Sequence, residues 1–203
     1  MTRREALYSV SLMLGGTIVG AELFLQGCDS PQQTKVAGFF TSDEVAMLDE
    51  VAEAILPETP DSPGAKAANV GEFMQTMVGD CYSEEEQKIF RAGMKDMEAK
   101  AKATYQKAFM ELEAGDRMDL LNTLNAEAIA YGENIPPEEY QKRALDSRLD
   151  RVPPHYFDMM KQLTILGFFT SEVGATKALR YLEVPGKYDG NYPYKPGDKA
   201  WAL

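Results

Sequence analysis

Thr41-Ser42-Asp43-Glu44-Val45-Ala46-Met47-Leu48-Asp49-Glu50-Val51-Ala52-Glu53-Ala54-Ile55-Leu56-Pro57 is the stretch that decides the fold class. Thr41 stands at an N-cap position and Glu44 follows three residues later, the spacing of a capping box that satisfies two backbone N–H groups reciprocally. Val45, Leu48, Val51 or Ala52, and Ile55 recur every three to four positions, so they form one apolar stripe that must be covered by other helices. Pro57, which lacks an N–H and restricts the residue before it, ends the helix.

Downstream the same period returns between breaks. Glu58 to Asn69 holds Pro60, Pro63 and Gly64 and reads as a loop of about a dozen residues, long enough to bind something. A short helix is expected from Gly71 to Val78, turning Phe73, Met74 and Met77 or Val78 inward. Ser83 caps a longer one whose first turn, Glu84-Glu85-Glu86, suits the helix dipole. Its stripe is Ile89, Phe90, Met94, Met97, Ala101, Tyr105 and Ala108, with Glu84–Lys88 and Glu98–Lys102 as i,i+4 pairs on the wet face. Phe109-x-x-Leu112 closes that element. Asp116 to Tyr131 predicts another helix with Met118, Leu121, Leu124 and Ile129 toward the core. Residues 132–154 carry Pro136, Pro137, Pro153 and Pro154 around one expected helix, Glu138 to Leu149; Phe157 to Phe169 and Glu172 to Leu182 complete the set. No segment alternates strictly, so the expected fold is all-α, an irregular helical bundle with long Pro/Gly-rich loops.

Residues 183–203 break the pattern. Pro185, Gly186, Tyr188, Gly190, Tyr192, Pro193, Tyr194, Pro196, Gly197 and Trp201 are wrong for a helix, and an extended aromatic tail of this kind lies on its own domain or reaches onto another chain.

Upstream of Phe39 the chain also changes character. Residues 28–38 read as a flexible tether, polar and punctuated by Pro31 and Gly38. Before it, Arg3 and Arg4 precede an apolar run from Ala6 to Ala21, and Leu25-Gln26-Gly27-Cys28 follows. Residues 1–27 thus have the layout of a secretory signal, and the adjacent arginines point to the twin-arginine route, which carries proteins that fold before crossing. The run falls short of the about 20 apolar residues of a spanning helix, and Gly15, Gly16 and Gly20 weaken it further. Leu25 to Cys28 resembles a bacterial lipobox, with Gln26 where a small or branched residue is usual, which makes Cys28 the lipidation site. The folded domain, residues 39–203, is then expected on the periplasmic side of a bacterial membrane, anchored by acyl chains.

Arg3 and Arg4 balance Glu5 and Glu22, so the net charge of −11 lies wholly after residue 27. Nucleic acid is excluded as a partner, since phosphate contacts need Lys and Arg. Prefolded export usually accompanies a cofactor, yet there is no G-x-G-x-x-G after a strand, no phosphate-binding G-x-x-x-x-G-K and no C-x-x-C-H. With Cys28 acylated, Cys81 alone cannot hold an iron–sulfur cluster, and His155, the single histidine, has no nearby cysteine for a zinc site. No catalytic, cofactor-binding or metal-ligating residue is expected here; a cofactor, if any, belongs to a partner.

Leu48 through Pro57, Thr59-Pro60-Asp61-Ser62-Pro63-Gly64-Ala65, Leu166-Gly167-Phe168-Phe169-Thr170-Ser171, and Pro185-Gly186-Lys187-Tyr188 through Trp201 occur in the order and spacing of one family. The chain resembles the small subunit, subunit 3, of membrane-bound gluconate 2-dehydrogenase and related FAD-dependent sugar and polyol dehydrogenases. The resemblance implies a helical accessory subunit on a large flavoprotein of the glucose-methanol-choline type, often alongside a cytochrome c subunit that carries haem. In such complexes the large subunit holds FAD and oxidises the substrate, while the small one carries the twin-arginine signal to the translocase for both. A partner interface is expected at Pro60, Pro63 and Gly64 together with Tyr188, Tyr192, Tyr194 and Trp201, since interfaces favour Tyr and Trp anchors.

Other residues have plainer readings beside sharper ones. Cys81 could pair with a partner's cysteine but reads first as a buried or semi-buried thiol beside Tyr82. His155 lacks a nucleophile to serve and reads as structural. Glu84, Glu85 and Glu86 point in different directions and suit a solvated helix start. Met94, Met97, Met110, Met118, Met159 and Met160 read mostly as core packing rather than copper ligands. The competing function is a stand-alone periplasmic lipoprotein that binds a ligand or acts as a scaffold; a hydrolase ranks last, for want of a base beside any serine.

Overall fold

The computed structural model describes residues 38–136, 152–184, 186 and 189–202. Arg3, Arg4, Cys28, the tether up to residue 37, the helix expected over Glu138 to Leu149, and Tyr188 lie outside the described residues.

Helix α1, Ser42–Ile55, starts on the expected capping box. Thr41 Oγ1 accepts the Glu44 N–H at 3.2 Å and Glu44 accepts the Thr41 N–H at 2.8 Å. Leu48, Val51 and Ala52 are all fully buried, so both members of the expected Val51/Ala52 alternative face inward. Asn69, left-handed at φ 51°, joins a 3-10 turn, Ala65–Ala68, to helix α2, Val70–Thr76, which runs into a π turn, Met77–Cys81. Asp49 on α1 accepts the Gly71 N–H at 2.7 Å and fastens α2 to α1; burial raises its pKa against the pull of that bond.

Helix α3, Glu84–Tyr105, begins on a second capping box: Ser83 Oγ accepts the Glu86 N–H, and Glu86 accepts the Ser83 N–H at 2.9 Å. Phe90, Met94, Met97 and Ala101 are buried on one face. Gln106, at φ 58°, stops the helix, so Ala108 sits before the 3-10 turn Phe109–Glu111 rather than on the stripe.

Helix α4, Ala114–Glu133, corrects two expected core positions. Leu120, Leu121, Leu124 and Ala128 face inward, whereas Met118 is 38% exposed and Ile129 51%. Leu124 lies near the centre of that stripe, and Met118 and Ile129 lie about 120° and 140° from it at 3.6 residues per turn.

Helix α5, Tyr156–Phe169, packs against α1, α2, α3 and α4 and is the central element of the bundle. Its buried side includes Phe157, Met159, Met160, Leu163 and Phe168; buried Thr164 donates to the Met160 carbonyl at 2.8 Å and so leaves no orphan hydroxyl. Of the methionines read as core, Met94, Met97, Met159 and Met160 are buried and Met110 and Met118 are exposed.

The helix expected over Glu172 to Leu182 stops early. It ends in a π turn, Gly174–Ala178, and Leu179 is extended, because the backbone of Arg180 turns to the tail: its N–H donates to Ala200 O at 2.8 Å and its carbonyl accepts from Ala202 N at 2.9 Å. Among the described residues the fold is all-α, and no helix is long and apolar enough to cross a membrane.

Candidate functional site

The loop after α1 is built by a carboxylate one turn upstream of it. Glu53 accepts N–H bonds from Glu58 at 3.0 Å and Lys66 at 2.9 Å, and Ala65 N–H closes the base on Leu56 O at 2.9 Å. Thr59 and Ser62 exchange backbone bonds at 2.8 and 3.2 Å across Pro60-Asp61. Gly64 is required by this approach: a Cβ there would lie 2.1 Å from Glu53 Oε1. Glu50 gathers the Lys66 ammonium and, at 2.6 Å, Arg117 from α4; these bonds, Lys66 foremost, hold its carboxyl below the usual range despite partial burial. Pro60, Pro63 and Gly64 therefore sit on a rigid bracket rather than a loose loop.

The tail meets this bracket. Lys199 Nζ donates to Asp61 O at 3.1 Å on the loop and to Lys177 O on the π turn. The Arg180 guanidinium lies over the Trp201 ring at 4.7 Å and the Tyr192 ring at 5.5 Å, while these two rings meet edge to face at 5.5 Å. Asp198 stands 3.9 Å from Arg180. Despite this order Trp201 stays 44% exposed, Tyr192 51% and Tyr194 75%. The structure thus ties the tail bearing Tyr192, Tyr194 and Trp201 to the loop bearing Pro60, Pro63 and Gly64. Glu53, which shapes the loop, and Arg180 and Lys199, which hold the tail, have no sequence signal beyond charge beside Pro- and Tyr-rich segments.

A second polar cluster crosses α3, α4 and α5. Tyr156 OH donates to Asp96 at 2.7 Å, Lys100 reaches Asp96 at 2.9 Å and also pairs with Glu127, and Tyr131 OH donates to Pro153 O at 2.9 Å. Burial pushes Asp96 upward, but the bonds from Lys100 and Tyr156 outweigh it and its pKa falls; burial, then Asp96, raises that of Tyr156. Every one of these polar groups has a partner within the fold, so the network leaves no buried group of the cluster unsatisfied.

His155 is the N-cap of α5, its Nδ1 accepting the Phe157 N–H at 3.2 Å while its ring stacks on Tyr156 at 4.5 Å. Burial lowers its pKa against the pull of Asp158 and Glu127. Protonating Nδ1 would break the cap and set a cation at a helix N-terminus. With the folded pKa below the unfolded value of about 6.5, stability is full above that value and is lost as pH falls toward the folded pKa. His155→Asn, a neutral cap, is expected to keep the neutral-pH melting temperature and to flatten its decline below about pH 6.5; an unchanged pH profile in thermal melts would refute the assignment.

Cys81 is exposed at the end of its π turn, not buried or semi-buried as cysteine's habit of burial leads one to expect. No group of His, Cys, Asp and Glu among the described residues is arranged to hold a metal. Glu86 is spent on its capping box, and Glu84 stands 3.9 Å from Lys88.

No curated protein and no solved structure matches the chain. The profile of the family described as gluconate 2-dehydrogenase subunit 3 matches residues 42–186, from the first residue of α1 into the start of the tail, short of Tyr192, Tyr194 and Trp201. That span takes in every described helix, the bracket and Arg180, and the chain belongs to the gluconate 2-dehydrogenase subunit 3 family.

Proposed function

We propose that the chain is the non-catalytic small subunit of a periplasmic, membrane-bound dehydrogenase. It docks on a large FAD-dependent flavoprotein of the glucose-methanol-choline type that oxidises gluconate or a related sugar or polyol. A cytochrome c subunit carrying haem is the further partner. The observation that carries the reading is the family match over residues 42–186. It is supported by an ordered but exposed aromatic surface on a chain whose own polar clusters are internally satisfied. In this reading Arg3 and Arg4 take the prefolded pair through the twin-arginine translocase, Cys28 tethers it through acyl chains, and Pro60, Pro63, Gly64, Tyr188, Tyr192, Tyr194 and Trp201 face the flavoprotein.

Mild-detergent pull-down of the tagged chain from its own membranes tests this directly. A stoichiometric yellow partner with flavin absorbance is expected; a colourless, solitary lipoprotein would reject it in favour of a stand-alone binding or scaffold role. Truncation after Leu182 removes the tail but, among the described residues, no core side chain, so flavoprotein recovery is expected to fall about tenfold or more, as for loss of several aromatic anchors, with helicity retained. Undiminished recovery would move the interface elsewhere.

A further inference from the structure

The segment that meets the bracket differs from the rest of the described molecule in charge. Elsewhere among the described residues most cations are neutralised close by: Lys66 and Arg117 by Glu50, Lys100 by Asp96 and Glu127, Lys102 by Glu98 and Lys161 by Asp158. Residues 174–203 invert the balance, with Lys177, Arg180, Lys187, Lys195 and Lys199 against Glu183, Asp189 and Asp198, in a chain of net charge −11. Lys177 and Lys195 are exposed, and among the described residues no carboxylate pairs with either ammonium. The Arg180 guanidinium, three residues after Lys177, is already held over the Trp201 and Tyr192 rings, and Asp198, which accepts the Lys195 N–H, stands 3.9 Å from it, which lowers the ordering cost of a contact there. Glu58 and Asp61 on the loop give the other side of the bracket the opposite sign.

We infer that this surface receives an acidic patch of the large flavoprotein subunit, with Lys177 and Lys195 as the steering charges and the Arg180–Trp201–Tyr192 stack as the anchor. The inference rests on the reading that a flavoprotein docks at the tail, and adds the chemistry of the contact. A partner of like sign is repelled by the acidic body of the bundle and, among the described residues, meets favourable potential here, so charge selects the docking face. The acidic loop beside it sets the orientation.

The test uses the full chain and its natural flavoprotein, recovered together from native membranes at about 50 and 500 mM salt, where the screening length falls severalfold. Wild-type recovery is expected to drop at high salt. The double variant Lys177→Glu, Lys195→Glu is expected to recover about tenfold less flavoprotein at low salt and to lose most of the salt dependence, while Lys107→Glu, an exposed charge on the turn after α3, behaves as wild type. Circular dichroism of each variant separates misfolding from lost docking. If the double variant matches wild type at both salts, or Lys107→Glu falls equally, the inference fails and the docking reading stands. If wild type recovers no flavoprotein at either salt, the docking reading itself fails. Loss of self-association in the double variant, with flavoprotein recovery intact, would assign the surface to a second copy and overturn the inference.

Discussion

Phe90→Ala is expected to lower the stability of the folded chain by about 3–5 kcal/mol, the range for emptying a large aromatic from a packed core. Phe90 is fully buried on the inward face of α3, and its ring lies 5.6 Å from that of Phe40. Phe40 in turn meets Phe39 edge to face at 4.8 Å, and the Arg91 guanidinium covers both rings while bonding the Phe39 carbonyl. The substitution therefore opens a cavity under the residues by which the chain enters the bundle. Thermal melts should show a loss of about 6–20 °C for a domain of this size. The half-buried neighbour Ile89, truncated to Ala, should cost much less. A loss under about 1 kcal/mol for Phe90→Ala would mean that the surrounding helices collapse into the space, contrary to a core fixed by this aromatic cluster.

How much of this was legible in the sequence follows from which forces are local. Capping depends on residues three apart: the Thr41/Glu44 box formed as read, and Ser83, read as a cap, gains Glu86 as the partner of a second box. The stripes of α1 and α3 were clear because charged residues separate their apolar positions. α4 has no such contrast: alanines, Met118 and Ile129 surround its true stripe, and the period alone could not fix its rotation. The helix beyond Glu172 was overestimated because its end is decided by a partner some twenty residues away, the backbone of Ala200 and Ala202. That is the non-local override that defeats propensity.

The candidate surface divides in the same way. Pro60, Pro63 and Gly64 mark a loop to any reader, and Tyr192, Tyr194 and Trp201 mark a tail. Nothing local says that the two meet. Lys199 joins them across more than a hundred residues of sequence, and Arg180 acquires its place between two rings only once the tail has folded back. Exposed Cys81 was misread for the converse reason: cysteine's preference for burial is a statistical habit of the residue, and the π turn overrides it.

Gly93→Ala is expected to destabilise the chain by about 2–3 kcal/mol, the overpacking range, although helix propensity alone favours alanine by about 1 kcal/mol. Packing decides the sign. Gly93 is buried on α3 where α5 crosses it, and an added Cβ would lie 2.1 Å from Tyr156 Cγ and 2.5 Å from Tyr156 Cβ. A flexible side chain could swing clear, but Tyr156 is held at both ends of its ring. Its hydroxyl donates to Asp96 at 2.7 Å, and His155 stacks on its face at 4.5 Å. Yielding would mean moving α5 as a body, and α5 packs on every other α-helix described. Denaturant unfolding of Gly93→Ala, Tyr156→Ala and the double variant separates the terms: with the ring gone the glycine substitution should turn neutral or stabilising, a coupling of about 2 kcal/mol or more for residues in contact. If Gly93→Ala stabilises the otherwise intact chain, α3 and α5 are free to separate at this crossing and the close approach is not what positions Tyr156.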